Sequence, residues 1–479
     1  MSDRPRSRTR PADRQRRSDP ARTAAYLTLR AVADGAYANL ELGEQQRRAR
    51  LSGRDAAFCT ELTHGTLRMR GLYDPILAVA ARREVAKIDE PVLDVLRLGV
   101  HQLLAMRVPD HAAVSATVAV ARQEISQGSG GFVNAVLRRV SERDRAAWVA
   151  EVTTGLDEAV DILAREHSHP VWVVRALRAA LLTQGESTPA ELESELSALL
   201  AANNDPGPLT VAARPGLQAE GDLTAAGATP SNAAPTAWTW SRGNPADLAP
   251  VRDGRAAVQD AGSQLVAAVL LEAEVEGVDT GQWLDLCAGP GGKTGLLAAA
   301  ALARGARLSA HEVAPHRAEL VRKTLEAARL AGAQVEVTTG DGTTVGREHP
   351  DRFDRVLVDA PCTGLGALRR RPEARWRRQP GDLVELAPLQ RGLLASALQA
   401  TRPGGVVVYA TCSPHIAETA LVVQDAMMRS GSVTQLDARP LVRHRDGSAY
   451  EGLGPGPGAQ LFTHRHGTDA MFVCLLRRT

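Results

Sequence analysis

Two of the five cysteines stand where a thiol could act as a nucleophile. Cys362 ends the apolar run that closes in DAPC (359–362), and Cys412 ends the run that closes in YATCSP (409–414). Such a pair points to covalent chemistry on a pyrimidine ring. C5 of a neutral cytosine is a poor nucleophile, whereas a thiolate that adds to C6 turns the ring into an enamine able to attack a methyl sulfonium. The addition requires a cysteine with a depressed pKa or a nearby base, and it gains from an acid at ring N3, where protonation drains the developing charge. Asp359 is placed to protonate N3 or to accept the exocyclic amino hydrogen. Spacing alone leaves either cysteine as the nucleophile. An isolated cysteine in such a fold is ordinarily inert packing; Cys59 and Cys474 are read as core, and Cys287 as packing beneath a glycine turn.

A second site candidate lies upstream. WLDLCAGPGGKTGLL (283–297) reads as an apolar strand, a glycine-rich turn and a helix start, the arrangement by which open α/β sheets let backbone approach a ligand at the carboxyl ends of strands. Two phosphate motifs fail here. A Walker A loop needs glycine where Cys287 stands, and the dinucleotide fingerprint needs glycine where Thr294 stands. The acidic residues then decide more: Asp285 ends this strand, Glu312 the next, where a carboxylate can accept both ribose hydroxyls, and Asp341 follows the third in GDG, where it can face an adenine amino group. A ligand with a ribose and an adenine but no phosphate requirement is S-adenosyl-L-methionine.

The elements that must position these residues are legible as a pattern. From Val258 onward, strand candidates 282–287, 307–313, 335–339, 355–359 and 406–411 alternate with helices around 294–303, 316–331 and 388–400, which predicts a mostly parallel sheet covered by helices. From residue 21 to about 143 the apolar residues recur at helical spacing. The last helix there, FVNAVLRRV (132–140), is expected to turn Phe132, Val136 and Leu137 inward and Arg138 and Arg139 outward. The stretch 181–250 is weakly patterned and fits a small α/β module. Residues 1–22 hold eight Arg, three Asp and three Pro and cannot bury enough apolar surface to fold alone.

The chain of 479 residues exceeds one ordinary core. Only Lys87, Lys293 and Lys323 interrupt an otherwise all-Arg set of cations, and the formal charge is +2; the Arg excess suits phosphate binding, although codon bias would produce the same count. The cysteines show neither disulfide nor zinc spacing, so no metal site is expected and a reducing compartment is. No run approaches the about 18 apolar residues of a membrane span. These features together predict a cytoplasmic protein that acts without a membrane.

FVNAVLRRV, NNDPGPLTV (203–211), VQDAGSQLV (258–266), DLCAGPGGKT, DAPCTGLG and YATCSPHIAE together resemble the RsmB/Sun (Fmu) branch of the RNA cytosine-C5 methyltransferases over residues 20–479. The resemblance implies a multidomain chain: a disordered basic arm (1–20), an N-terminal all-α NusB-like bundle that binds RNA (21–148), a helical linker with a small α/β RNA-contacting module (149–254), and a C-terminal α/β Rossmann-like class I methyltransferase (255–479). It further implies that Cys412 is the nucleophile and that Cys362 assists product release. The cofactor S-adenosyl-L-methionine would lie against Cys287, Ala288, Gly289, Pro290, Gly291, Gly292 and Lys293, with Glu312 on the ribose, Asp341 near the adenine and Asp359 bordering both cofactor and base. Lys293 becomes a polar tether in the catalytic cleft. The family more often has Asp where Glu312 stands, and the 181–250 stretch matches it less well. The substrate implied is 16S ribosomal RNA or an early small-subunit particle, acted on by a monomer. Transfer RNA, or a catalytically silent RNA-binding and antitermination module, are the alternatives. Trp376 and Tyr409 are the flat side chains expected to stack on RNA bases, and 369–378 is a cationic segment flanking the cleft.

Overall fold

The computed structural model describes residues 19–185 and 188–479; most of the expected basic arm therefore lies outside the described residues. The chain forms two compact units, Met1–Ser168 and His169–Thr479.

Among its described residues the first unit is helical throughout, from Pro20–Ala33 to Ala159–Glu166. Asp19 starts the first helix by accepting from the Arg22 amide, with Pro20 in the first turn, where its missing N–H costs nothing. In the helix Ser129–Val140, Val133, Val136, Leu137 and Val140 are buried, the i, i+3, i+4, i+7 stripe of an amphipathic helix. The expected inward and outward faces hold for Val136, Leu137 and Arg138. Phe132 only leans on the core, and Arg139 turns back to donate to the Ala80 carbonyl at 2.8 Å.

The second unit carries two sheets. The weakly patterned stretch folds into four short antiparallel strands, β1 (Leu209–Ala213), β2 (Thr229–Pro230), β3 (Ala237–Trp240) and β4 (Ala256–Val258), in the order β2-β3-β1-β4. Val211, Ala213, Trp238 and Ala256 are buried in its small core together with Leu223 from the helix Glu220–Ala226.

The large sheet holds eight strands among the described residues: β5 (Gln282–Asp285), β6 (Arg307–Glu312), β7 (Gln334–Thr339), β8 (Phe353–Asp359), β9 (Thr401–Thr411), β10 (Val433–Leu436), β11 (Ala459–Gln460) and β12 (Phe472–Arg478). Five run parallel in the order β7-β6-β5-β8-β9, as the alternating pattern predicts. Beyond β9 the sheet turns antiparallel through β12 and β10, with β11 pairing β12 off the main path; the helix Ala420–Arg429 leads into β10, and none of these three strands is among the sequence-predicted ones. Val406, Val407, Val408, Tyr409 and Ala410 of β9 are all fully buried, the continuous apolar run of a strand covered on both faces. The helix Gly292–Arg304 is rich in Ala and Leu and stops at Gly305, whose φ of 67° places it in the left-handed region favoured for a C-terminal cap.

Candidate active site

Register brings the site residues to one edge. Asp359 lies opposite Ala410 across β8 and β9, so Cys362, three residues on, and Cys412, two residues on, leave neighbouring parallel strands side by side. Asp285 pairs with Leu357 and with Ala310, which sets the glycine loop between the cysteine turns and Glu312. Glu312 in turn pairs with Thr339, putting Asp341 at the far end of the same edge.

The two sulfurs stand 3.5 Å apart, within hydrogen-bonding reach for sulfur, and both residues are partly buried. Lys293, in the first turn of Gly292–Arg304, donates from Nζ to Asp359 Oδ2 at 2.7 Å. The thiols differ in surroundings. The hydrogen bond with Cys362 lowers the pKa of Cys412, and the nearby Lys293 and Arg371 charges act in the same sense against burial and Asp359. Cys362 is pushed well above the ordinary thiol value, first by that same bond, then by burial and by the charges of Cys412, Glu418 and Asp359. Although Lys293 is buried, Asp359 raises its pKa and keeps it cationic.

The glycine loop is built around Glu312. Its Oε2 accepts from the Gly289 amide at 2.9 Å and its Oε1 from the Ala314 amide at 3.1 Å, with Arg317 3.5 Å away. A Cβ on Gly289 would lie 2.2 Å from Glu312 Oε2, and Gly291 has φ +111°, so both positions need glycine. The Gly289–Pro290 bond is cis. Ala288 is buried and its amide donates to the His311 carbonyl at 2.9 Å. Burial pushes the Cys287 thiol well up, in keeping with packing rather than reaction. Asp341 is exposed and held below the ordinary carboxylate range by the amide and hydroxyl of Thr343.

The loop offers polar atoms to a ligand. Asp285 is fully buried and receives the Thr294 hydroxyl at 2.7 Å on Oδ2, while its Oδ1 has no partner; nor does Gln259 Oε1, which lies 3.7 Å from where a Cβ on Gly292 would sit. Burial raises the Asp285 pKa to about 7. Orphaned buried acceptors beside a glycine-only backbone, ending in a strand-end carboxylate, fit a small ligand bearing hydroxyl and amino groups.

One expectation fails on burial. Tyr409 is 0% exposed and donates its hydroxyl to the Glu418 carbonyl at 2.8 Å, so it cannot stack on a base; the continuous strand that makes β9 a central element also encloses its aromatic ring. The cationic segment 369–378 is not simply a solvated loop. Arg369 is buried between Asp260 (2.6 Å) and Asp469 (3.1 Å), Arg370 pairs with Asp469, and Arg375 is buried against Asn203 and Asn204. Trp376 is half-buried and Arg371 exposed. Sequence reasoning also missed Thr363, Gln390, Ser413 and Glu418, which form a buried hydrogen-bonded group behind the cysteines. The signal was present in the phrase SPHIAE, whose single carboxylate follows Cys412 by six residues.

A parallel sheet with a glycine loop and strand-end carboxylates of this kind defines an S-adenosylmethionine-dependent methyltransferase fold. Comparison with known proteins gives the family. A model described as 16S rRNA methyltransferase RsmB/F matches residues 269–477, and the NusB family model matches 19–142. A protein of Mycobacterium tuberculosis strain H37Rv, whose name places it among methyltransferases without a substrate, is 51% identical over 99% of each chain. The ribosomal RNA small subunit methyltransferase B of Pseudomonas syringae pv. tomato is 30% identical, covering 95% of this chain and 96% of its own. The crystal structure of PH0851 shares the fold with a TM-score of 0.75 at 19% identity, covering 96% and 99% of the two chains. The chain belongs to the RsmB/F methyltransferase family, and is an S-adenosylmethionine-dependent RNA methyltransferase with a NusB domain ahead of the catalytic one.

Proposed function

We propose that the chain methylates C5 of a cytosine in small-subunit (16S) ribosomal RNA through a covalent bond between Cys412 and C6. The observation that carries this reading is the pair of sulfurs 3.5 Å apart at the strand edge, with the Lys293–Asp359 pair beside them. The Cys412 thiolate adds to C6 while Asp359, held by Lys293, supports N3 or the exocyclic amine. When bound, S-adenosyl-L-methionine would supply an electrophilic methyl group to C5 and leave as the neutral thioether. Loss of the C5 proton then restores the C5–C6 double bond, which expels Cys412 as thiolate, and Cys362 assists this release. For the cofactor, residues Cys287 to Lys293 would form the cradle, with Glu312 to hold the ribose, Asp341 the adenine side, and Asp359 to border both cofactor and base. The target base must leave its stack, at a cost of about a few kcal/mol that is smallest for an unpaired nucleotide. The domain ranges 1–20, 21–148, 149–254 and 255–479 follow from the same reading, as does a cytoplasmic monomer. Among the described residues no helix is long and apolar enough to cross a membrane.

Incubation with radiolabelled cofactor and separated ribosomal and transfer RNA pools tests the substrate: label in the small-subunit RNA is expected, and label confined to transfer RNA overturns it. Cys412→Ala is expected to abolish both methyl transfer and covalent capture of RNA. Cys362→Ala is expected to accumulate a stable protein–RNA adduct. The reverse pair of phenotypes would reassign the nucleophile.

A further inference from the structure

Behind the sulfurs sits a carboxylate that the chemistry above does not use. Glu418, at the end of the turn Ile416–Glu418, is 0% exposed. Its Oε1 accepts from the Thr363 amide at 2.8 Å and from Gln390 Nε2 at 3.1 Å, and its Oε2 accepts from the Thr363 hydroxyl at 2.5 Å. With the Thr363 proton directed at Glu418, the 3.1 Å contact between Thr363 Oγ1 and Ser413 Oγ is one that Ser413 donates. Gln390 Nε2 also donates to the Pro361 carbonyl at 2.9 Å, and Tyr409 ties down the Glu418 backbone. Thr363 follows Cys362 and Ser413 follows Cys412. One buried carboxylate therefore grips the residue beside one sulfur directly and the residue beside the other through a hydroxyl. Three donors face it, a set that suits a carboxylate and leaves an amide mismatched.

We propose that Glu418 is a positioning residue: it clamps the Cys362 turn onto the Cys412 turn so that Cys362 donates its S–H to Cys412 and the two sulfurs cannot exchange roles. This rests on the reading of Cys412 as nucleophile and deepens it. The geometry has an electrostatic counterpart. Around the sulfurs stand Asp359 from the end of β8, Lys293 from the helix after the glycine loop, Arg371 from the cationic segment and Glu418 from the turn after Cys412; His415 and Tyr409 also face Glu418. Glu418 acts against ionisation of Cys362, while the two cations favour the thiolate of Cys412.

The test is the pH dependence of iodoacetamide alkylation at each cysteine of the full chain, resolved by peptide mass spectrometry. In the unaltered protein Cys412 is expected to react at lower pH than Cys362. In Glu418→Gln the Cys362 midpoint falls and the Cys412 midpoint rises, so the two draw together by about one pH unit. A folded Glu418→Gln protein with both midpoints unmoved overturns the proposal. Should that variant not fold, Thr363→Val and Thr363→Ser decide. Valine removes the hydroxyl link and should bring the midpoints together, serine restores it and should not, and identical midpoints in the two variants overturn the clamp. Alkylation needs no RNA, so the two readings separate. Converging midpoints in a protein whose Cys412→Ala variant still methylates RNA leave the clamp standing and remove the nucleophile assignment. Unmoved midpoints beside an inactive Cys412→Ala do the opposite.

Discussion

Two buried polar groups in the second unit have opposite characters. In the first, Arg369 lies between Asp260 and Asp469, Arg370 closes on Asp469, and Asp260 also receives the amides of Gly262 and Asp469 at 2.8 and 2.9 Å. Cation and carboxylate oxygens are matched nearly one for one, and the group joins β4 and the helix Ala261–Glu272 to the segment after DAPC and to the approach to β12. In the second, the sulfurs, Lys293, Asp359 and Asp285 share one cleft with a carboxylate oxygen left over and with thiol pKa values driven apart. Saturated polar groups hold a shape. A buried carboxylate oxygen left without a partner is what a ligand or a reaction can use.

The sharpest way to break that distinction is Arg369→Met, which strands Asp260 in the interior. It should cost about 3–5 kcal/mol of stability, read as a lowered denaturant midpoint, while the folded fraction retains its thiol alkylation profile. A profile that changes with the scaffold intact would merge the two groups into one. Lys293→Met should do the converse: methyl transfer falls about a hundredfold, the lower end of what a positioned acid–base group contributes, with little change in the unfolding transition because Asp359 is 29% exposed. A third measurement concerns pH. A folded-state pKa below the ordinary thiol value means that Cys412 is already thiolate where a free cysteine is still protonated, so single-turnover methylation should hold its rate below the ordinary thiol range as pH falls; a rate that declines at the free-cysteine value contradicts the asymmetry. Smallest is Tyr409→Phe. Loss of one buried hydrogen bond should cost about 1 kcal/mol, read as a slightly lowered denaturant midpoint.

The parallel half of the sheet, the glycine loop and the convergence of Cys362, Cys412, Asp359 and Lys293 were readable because they follow from apolar runs ending in small and polar residues. What escaped the sequence is long-range pairing. Arg369 and Arg375 look like surface charge in the run RRRPEARWRR, and only the fold brings Asp469, about a hundred residues later, and Asn203, about 170 earlier, against them. Tyr409 looked available because it neighbours the Cys412 turn, but β9 is buried on both faces from Val406 to Thr411 and hides every side chain there. The antiparallel strands β10 and β12 were missed because β10 holds only four residues and only short helical turns, Arg439–Leu441 and Thr463–His466, lie between it and β12. Glu418 was quoted in a motif without a role, since a carboxylate six residues past a cysteine declares no partner until Thr363 is placed beside it.

Gly366 hands its amide to the Cys412 carbonyl and takes the Ala470 amide on its own, both at 2.9 Å, and a methyl group there would fall 1.9 Å from the Ala470 oxygen. The Cys412 backbone is thus stitched to the residues that lead into β12, which itself lines β9 from Val406 to Thr411. Cys412 therefore takes up its final geometry only in a chain whose β12 has docked against β9.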